Sequence, residues 1–182
     1  MYKDKCIVIN FISGPGVGKS IIAAEIFARL KREFVSVEIS PEYIKNKIRE
    51  GSKKAIQSQV YIFGNQQYQL FYMKDEVDVI VTDSPLILST IYDVTKCEEL
   101  KNLVIKEFNK YNNVVYYIER DMSVPYEKEG RFEDSDEARK VDNLVKGFLE
   151  DNNINYTVVN GIGEDTINLV VNETLERLNG KE

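Results

Sequence analysis

The residues best suited to chemistry are concentrated in one glycine-rich stretch, Ser13-Gly14-Pro15-Gly16-Val17-Gly18-Lys19-Ser20. Glycines let the backbone curl so that successive N–H groups point into one concavity, and a following helix adds its positive dipole end. In such a loop Lys19 reaches the β- and γ-phosphates of a nucleotide, and the Ser20 hydroxyl binds Mg²⁺. We therefore predict an ATP and Mg²⁺ site formed by Gly14, Pro15, Gly16, Val17, Gly18, Lys19 and Ser20.

The stretch departs from the phosphate-loop pattern at one position. The pattern G-x-x-x-x-G-K-[ST] has glycine where this chain has Ser13. Gly14 and Gly16 lie inside the loop and still permit the turn, and the ending Gly18–Ser20 is intact. The alternative is an ordinary glycine-rich turn between a strand and a helix, which the apolar run before the loop and the amphipathic run after it disfavour.

Asp83 is the second candidate, because it follows the apolar stretch 79–82. An acid at the end of such a strand would hold Mg²⁺ or accept a proton from an attacking hydroxyl. The chain contains no histidine, so we expect the general base to be a carboxylate, and Asp83 is the first choice. The sequence leaves open whether Asp83 is base or metal ligand, and the alternative to both is an aspartate that caps the turn at Ser84-Pro85.

Further polar residues follow the second predicted strand and suggest an acceptor site. Glu38 and Glu42 could bind sugar hydroxyls, Tyr43 could pack on a base, and the amide of Gln66 could bind a base edge. Glu42 and Gln66 have ordinary alternatives. Glu42 suits the first turn of any helix, and the cluster 65–69 suits an exposed polar helix face.

A polar, charged stretch at about 120–135 predicts a lid. It contains Arg120 and Arg131, together with Pro125 and Gly130, and few apolar residues. In phosphoryl transfer an arginine neutralises the charge that spreads over the phosphate oxygens. We expect the arginines of this stretch to close over the phosphates, with Arg120 in contact with the nucleotide; the alternative is a solvated loop.

Hydrophobic patterning predicts five strands that alternate with helices. The predicted strands are 5–12, 34–40, 77–83, 114–118 and 156–159, and the predicted helices are 19–32, 42–50, 55–75, 98–111, one across 141–148, and 164–178, with a loop at 86–95. This alternation indicates βαβ units, right-handed crossovers and a parallel sheet. Because ligands bind beyond the carboxyl ends of such strands, we expect the loop, Glu42, Asp83 and Arg120 to converge.

Length and composition set the remaining bounds. A chain of 182 residues, 43% hydrophobic and 30% charged, is typical of one globular domain spanning 1–182. No apolar run approaches a membrane span, and we expect neither a signal peptide nor a membrane partner. Two cysteines without metal spacing indicate a reducing cytoplasm. The net charge of −6 counts against bulk attraction to nucleic acid.

On these residues the chain resembles the P-loop kinase group. Its nearest likeness is to the ribosylnicotinamide kinase domain family and to the small, often phage-encoded proteins that are classed with that family. The resemblance covers most of the chain. It rests on the loop Gly14–Ser20, the pair Glu42-Tyr43, the glutamine-bearing helix 59–69, Asp83, the lid ending Gly130-Arg131, the pair Arg139-Lys140 and the segment Leu149–Tyr156.

The resemblance implies a sheet in the order 2-3-1-4-5 and transfer of phosphate from MgATP to a nucleoside-type hydroxyl. It also implies that Asp83 is the strand-end acid and Arg131 the lid arginine. The family has Asp-Thr-Asp where this chain has Thr82-Asp83-Ser84, which leaves the acceptor open.

The leading hypothesis is therefore a kinase whose acceptor is a nucleoside, a nucleotide or a nicotinamide riboside-like small molecule. One alternative acceptor is a hydroxyl on a nucleic acid, either a modified base or a strand end. Another alternative is an ATPase that acts as a switch on a partner. The oligomeric state stays open, with a homodimer among the alternatives.

Overall fold

Five parallel strands form the sheet that positions the glycine-rich loop. The computed structural model describes residues 5–121, 123 and 134–180. The strands are β1 (Ile7–Ile12), β2 (Val37–Ser40), β3 (Val79–Thr82), β4 (Asn112–Glu119) and β5 (Thr157–Asn160). Their order is β2-β3-β1-β4-β5, and all four pairings are parallel. The predicted parallel sheet and its order are confirmed.

Eight helices connect or follow the strands within the described residues. They are α1 (Lys19–Arg32), α2 (Tyr43–Arg49), α3 (Lys53–Ile56), α4 (Gln59–Met73), α5 (Leu88–Ile91), α6 (Glu98–Phe108), α7 (Ser135–Asp151) and α8 (Glu164–Asn179). In this described part of the chain, no helix has both the length and the apolar character needed to cross a membrane.

The helices cover both faces of the sheet, so the fold has three layers. Strand β1 lies in the middle, and each of its residues is buried. On one face Ile7, Ile9 and Phe11 pack with the buried residues of α1 and α8. On the other face Val8 and Ile12 pack with buried residues of α4, α5, α6 and α7. Two hydrophobic cores thus hold β1 rigidly at the root of the loop.

The helix predicted over 55–75 is wrong in its start, because the structure has two helices there. Ser58 has an extended backbone (φ −106°, ψ 94°), and its side chain accepts a hydrogen bond from the Tyr61 N–H. A serine with this geometry is an N-cap, which starts a new helix. Gly64 does not interrupt α4. The predicted loop at 86–95 also differs, since it contains α5.

Helix α7 turns an unexpected face towards the core. The apolar residues at helical spacing across 141–148 predicted the helix, but they do not all face the core, since Leu144 is 53% exposed. The buried residues are Ala138, Asp142, Val145 and Leu149. Asp134 starts the helix through a capping box with Glu137, in which each side chain accepts from the other residue's backbone N–H. The rotation brings a buried carboxylate to the glycine-rich loop.

Candidate active site

The glycine-rich loop lies between β1 and α1, as predicted. Gly16 and Gly18 have φ angles of 82° and 88°, a region that residues with a side chain rarely adopt. Gly18 is the N-cap of α1, and the described first turn of this helix carries no acidic side chain. The positive end of the helix dipole is therefore available to an anion, which is the electrostatic requirement of a phosphate site.

Lys19 folds back over the loop. Its Nζ donates hydrogen bonds to the carbonyl oxygens of Ser13 at 3.0 Å and Gly14 at 2.6 Å. The residue as a whole is partly exposed, but its ammonium lies among protein atoms, and this burial lowers its pKa to about 8. The carboxylates of Glu42 and Asp83 oppose the shift. The ammonium thus lies at the mouth of the loop, beside two acids.

Ser20, Glu42, Lys45 and Asp83 form one cluster of polar groups. The Ser20 hydroxyl donates to Asp83 Oδ2 at 2.5 Å. Lys45 Nζ donates to Ser20 Oγ at 2.5 Å and to Asp83 Oδ2 at 3.1 Å, and it pairs with Glu42 Oε2 at 3.1 Å. The predicted convergence of the first helix, the β2–α2 turn and the end of β3 is therefore observed.

Lys45 was missed by the sequence reasoning. It lies three residues after Glu42 in a helical stretch, and this spacing places the two side chains on one face of α2. That spacing was the available signal, but an i, i+3 pair of opposite charges is common on helices. Its contacts with Ser20 and Asp83 depend on how α2 packs beside the loop.

The cluster fits Mg²⁺, which prefers hard oxygen ligands. Asp83 is 5% exposed, and its Oδ1 has no hydrogen-bond partner within the described part of the chain. The Ser20 hydroxyl and the two carboxylates supply oxygens, and an ammonium already lies among them. Over residues 5–121, 123 and 134–180, no group of three or more acidic, cysteine or histidine residues could hold a metal, so phosphate and water oxygens would complete the coordination.

Asp142 holds the loop from the opposite side. Its Oδ1 accepts from the Ser13 hydroxyl at 3.0 Å and from the Gly14 N–H at 2.7 Å. Its Oδ2 accepts from Arg120 Nε at 2.6 Å, and Arg120 Nη2 donates to the carbonyl oxygen of Pro15 at 2.7 Å. We call this set of contacts the loop clamp. The departure at Ser13 is part of it, since glycine there would supply no hydroxyl.

Gly14 is required by the loop clamp for a steric reason. A Cβ at this position would lie 2.4 Å from Asp142 Oδ1 and 2.6 Å from the carbonyl oxygen of Ala138. The loop can therefore approach α7 closely because residue 14 has no side chain. Nothing in the sequence marks this contact, because Gly14 and Asp142 are 128 positions apart.

Arg120 lies at the loop rather than alone in a lid. It borders a cleft of about 320 Å³ lined by Glu119, Arg120, Asp121, Asn160 and Gly161. The turn after β5 also approaches the loop, since a Cβ on Gly18 would lie 2.8 Å from Ile162 Cδ1. A second cleft, of about 380 Å³, is lined by residues between 90–101 and 143–151 and contains none of the predicted site residues.

The predicted acceptor residues are only partly brought together. Glu42 lies in the cluster, and the Tyr43 hydroxyl is 2.6 Å from that of Tyr61. Gln66 is 2% exposed; its Nε2 donates to Ser40 Oγ and its Oε1 accepts from the Tyr43 N–H. Its amide braces the β2–α2 turn, which differs from the predicted contact with a base.

Two further predicted residues lie elsewhere or outside the described part. Glu38 is exposed and pairs with Lys31 at 3.4 Å, so the structure does not bring it to the cluster. Arg131 lies outside the described residues, and of the predicted lid at about 120–135 the structure describes 120, 121, 123, 134 and 135. The catalytic role of Arg131 stays a prediction.

A family model described as an AAA domain matches residues 8–165. The chain belongs to this family. A comparison with curated protein sequences gives no match.

Two solved structures share the fold. A deoxyadenosine kinase from M. mycoides is 19% identical with a TM-score of 0.56, and the match covers 95% of this chain and 99% of that one. A thymidylate kinase from Ehrlichia chaffeensis is 13% identical with a TM-score of 0.65, covering 95% and 98%. The AAA-family chain therefore has the three-layer fold of P-loop nucleotide kinases.

Replacing Asp142 with alanine tests the loop clamp. We expect the free energy of unfolding to fall by about 3 kcal/mol, because a buried ion pair and two hydrogen bonds to the loop lose their acceptor. Urea unfolding followed by circular dichroism measures the change. Asp151→Ala, at the exposed end of the same helix, is the control and should shift stability by less than about 0.5 kcal/mol. Equal small shifts in both variants would contradict the clamp.

The pKa of Lys19 predicts a pH dependence of nucleotide affinity. A charged ammonium pairs with phosphate, so nucleotide binding favours the protonated form of Lys19. In the nucleotide-free protein Lys19 is protonated below about pH 8 and loses its proton above it. We expect ADP affinity, measured calorimetrically without divalent cations, to be constant near about pH 7 and to fall above about pH 8 by up to about tenfold per unit.

Lys19→Arg is the control for this pH dependence, because a guanidinium stays charged throughout the range. Its ADP affinity should be independent of pH, whatever its absolute value. A wild-type affinity that stays level up to about pH 9 would show that the ammonium does not titrate there.

Proposed function

We propose that this protein is an ATP-dependent kinase that transfers the γ-phosphate of MgATP to a hydroxyl of a nucleoside, a nucleotide or a nicotinamide riboside-like small molecule. The observation that carries the proposal is the convergence of Lys19, Ser20 and Asp83 at one end of the sheet, beside a buried carboxylate oxygen without a partner among the described residues. Phosphoryl transfer requires mainly positioning and charge neutralisation, and this site offers both.

The loop and the cleft beside it are the proposed ATP site. The phosphates would bind in the concavity of the loop. Backbone N–H groups, the α1 dipole and Lys19 would offset their negative charge. The nucleoside part would lie in the cleft that Arg120 and Gly161 border. Arg120 would contribute by fixing the carbonyl of Pro15, which sets the shape of the loop. Arg131 is the proposed lid arginine that neutralises the transferred phosphate.

Asp83 and Glu42 have different proposed roles. Asp83 contacts Ser20, and its side chain is 6% exposed, which suits a ligand held against a metal. Glu42 has a side chain that is 28% exposed and opens the helix that carries Tyr43, which suits a base that receives the proton of an acceptor hydroxyl. Ser20 and Asp83 would hold Mg²⁺, whose charge would offset that of the phosphates. The sequence had left Asp83 open between these two roles.

The acceptor would enter between α2 and α4. The Tyr43 and Tyr61 rings meet edge to face there, with centroids 5.7 Å apart, and aromatic rings suit the flat face of a base. The two structural neighbours, named as a deoxyadenosine kinase and a thymidylate kinase, support a nucleoside or nucleotide acceptor. The net charge of −6 favours such a small molecule over a nucleic acid.

Transfer of label from γ-labelled ATP in the presence of Mg²⁺ tests the proposal directly. The acceptors offered are nucleosides, nicotinamide riboside, nucleoside monophosphates, and single- and double-stranded DNA. Label in a small-molecule product would establish the kinase and its acceptor class. Label on DNA alone would favour the nucleic-acid alternative, and free phosphate without a labelled acceptor would favour the ATPase switch.

Two conservative substitutions separate the roles of the carboxylates. We expect Glu42→Gln to lower kcat by about a hundredfold or more, with ADP affinity retained, because the acceptor hydroxyl loses its base. Asp83→Asn should instead raise the Mg²⁺ concentration needed for half-maximal rate, because an anionic metal ligand is lost. Steady-state kinetics across Mg²⁺ concentrations measure both.

The controls for this pair are Glu50→Gln and Lys19→Ala. Glu50 pairs with Lys47 at the far end of α2, so its amide variant should behave as the wild type. Lys19→Ala should abolish transfer even at saturating ATP, because the lysine is needed in the reaction itself. If Glu42→Gln leaves kcat unchanged, Glu42 is not the base.

A further inference from the structure

The ammonium of Lys45 lies where the proposed metal ion would lie. It contacts three oxygens: Ser20 Oγ at 2.5 Å, Asp83 Oδ2 at 3.1 Å and Glu42 Oε2 at 3.1 Å. Two of these contacts are hydrogen bonds that the ammonium donates, and the contact with Glu42 is an ion pair. Ser20 and Asp83 are the proposed metal ligands, and hydroxyl and carboxylate oxygens are the hard donors that a divalent cation prefers.

Lys45 and a divalent cation cannot share these oxygens. An ammonium and a metal ion a few ångströms apart, both against the buried Asp83, repel each other. Each positive charge also satisfies the same carboxylate oxygens. Binding of one cation therefore requires that the other leave.

Lys45 can leave without disturbing the core. Every residue of α2 is described, and none of them is buried. The Lys45 side chain is 43% exposed and sits on a flexible four-carbon stem. Its ammonium can turn out to solvent, where hydration replaces the three contacts.

We propose that Lys45 is a built-in competitor for the divalent metal. It offsets the charge of Glu42 and Asp83 and hydrogen-bonds to Ser20 in the nucleotide-free protein, and so keeps a free cation out of the site. The metal enters with the nucleotide, because the phosphates add negative charge and oxygen ligands, and a divalent cation then binds strongly enough to displace the ammonium. The inference rests on the metal site of the proposed function, but not on the transfer reaction.

Binding of Mn²⁺ alone, without nucleotide, tests this role. Electron paramagnetic resonance reports the concentration of free Mn²⁺ in a titration of the whole protein. We expect Lys45→Met, which keeps the length of the side chain and removes its charge, to bind Mn²⁺ at least about tenfold more tightly than the wild type. Circular dichroism confirms that each variant is folded.

Lys47→Met is the matched control, since Lys47 lies on the same helix and pairs with Glu50 instead. Its Mn²⁺ affinity should equal that of the wild type, which separates competition at the site from a general change in charge. In Lys45→Met combined with Ser20→Ala, the gained affinity should be lost, because the metal then lacks one of the oxygens that Lys45 contacts.

Two results would overturn the proposal. Equal Mn²⁺ affinities for Lys45→Met and the wild type would show that the ammonium does not compete. A gain that persists in the double variant, or that appears equally in Lys47→Met, would place the ion elsewhere. Neither result depends on kinase activity, so a failure of the proposed reaction in the label-transfer experiment remains a separate finding.

Discussion

The contact between Asp142 and the glycine-rich loop is the constraint on which the site depends. One carboxylate accepts from the Ser13 hydroxyl, the Gly14 N–H and the Arg120 guanidinium. A loop of this kind has little regular structure of its own, and a buried ionic anchor gives it one shape. Because α1 begins where the loop ends, the same anchor sets where Lys19 and Ser20 lie.

The balance of charge at the site follows from this arrangement. Two ammonium groups, Lys19 and Lys45, lie near two carboxylates, Glu42 and Asp83. The opposite charges offset one another. Burying all four groups together therefore costs less free energy than burying the two ammonium groups or the two carboxylates by themselves. A nucleotide with its metal is itself a combination of negative and positive groups, so the site can exchange internal partners for external ones.

The elements that the sequence predicted are those whose signals are local. The loop before α1 is a short motif, and the alternation of apolar strands with amphipathic helices predicted a parallel sheet. The order of its strands was implied by the resemblance to the P-loop kinase group. Asp142 could not be predicted as part of the site, because its contact with Ser13 joins positions 129 apart. The contacts of Lys45 and of the buried Gln66 likewise depend on how α2 and α4 pack. The start of α4 could not be predicted because it depends on the extended backbone of Ser58.

The site has two halves, the glycine-rich loop and α2, and they differ in how freely their residues can vary. Every residue of α2 is described, and none has a buried side chain. The loop half is fixed by two cores and a close approach that admits only glycine at residue 14. The α2 half can accept new side chains, or a replacement segment of other length, with little cost to folding. Proteins that evolve from one such fold can thus come to act on different molecules through changes in the α2 half, while the loop half stays the same.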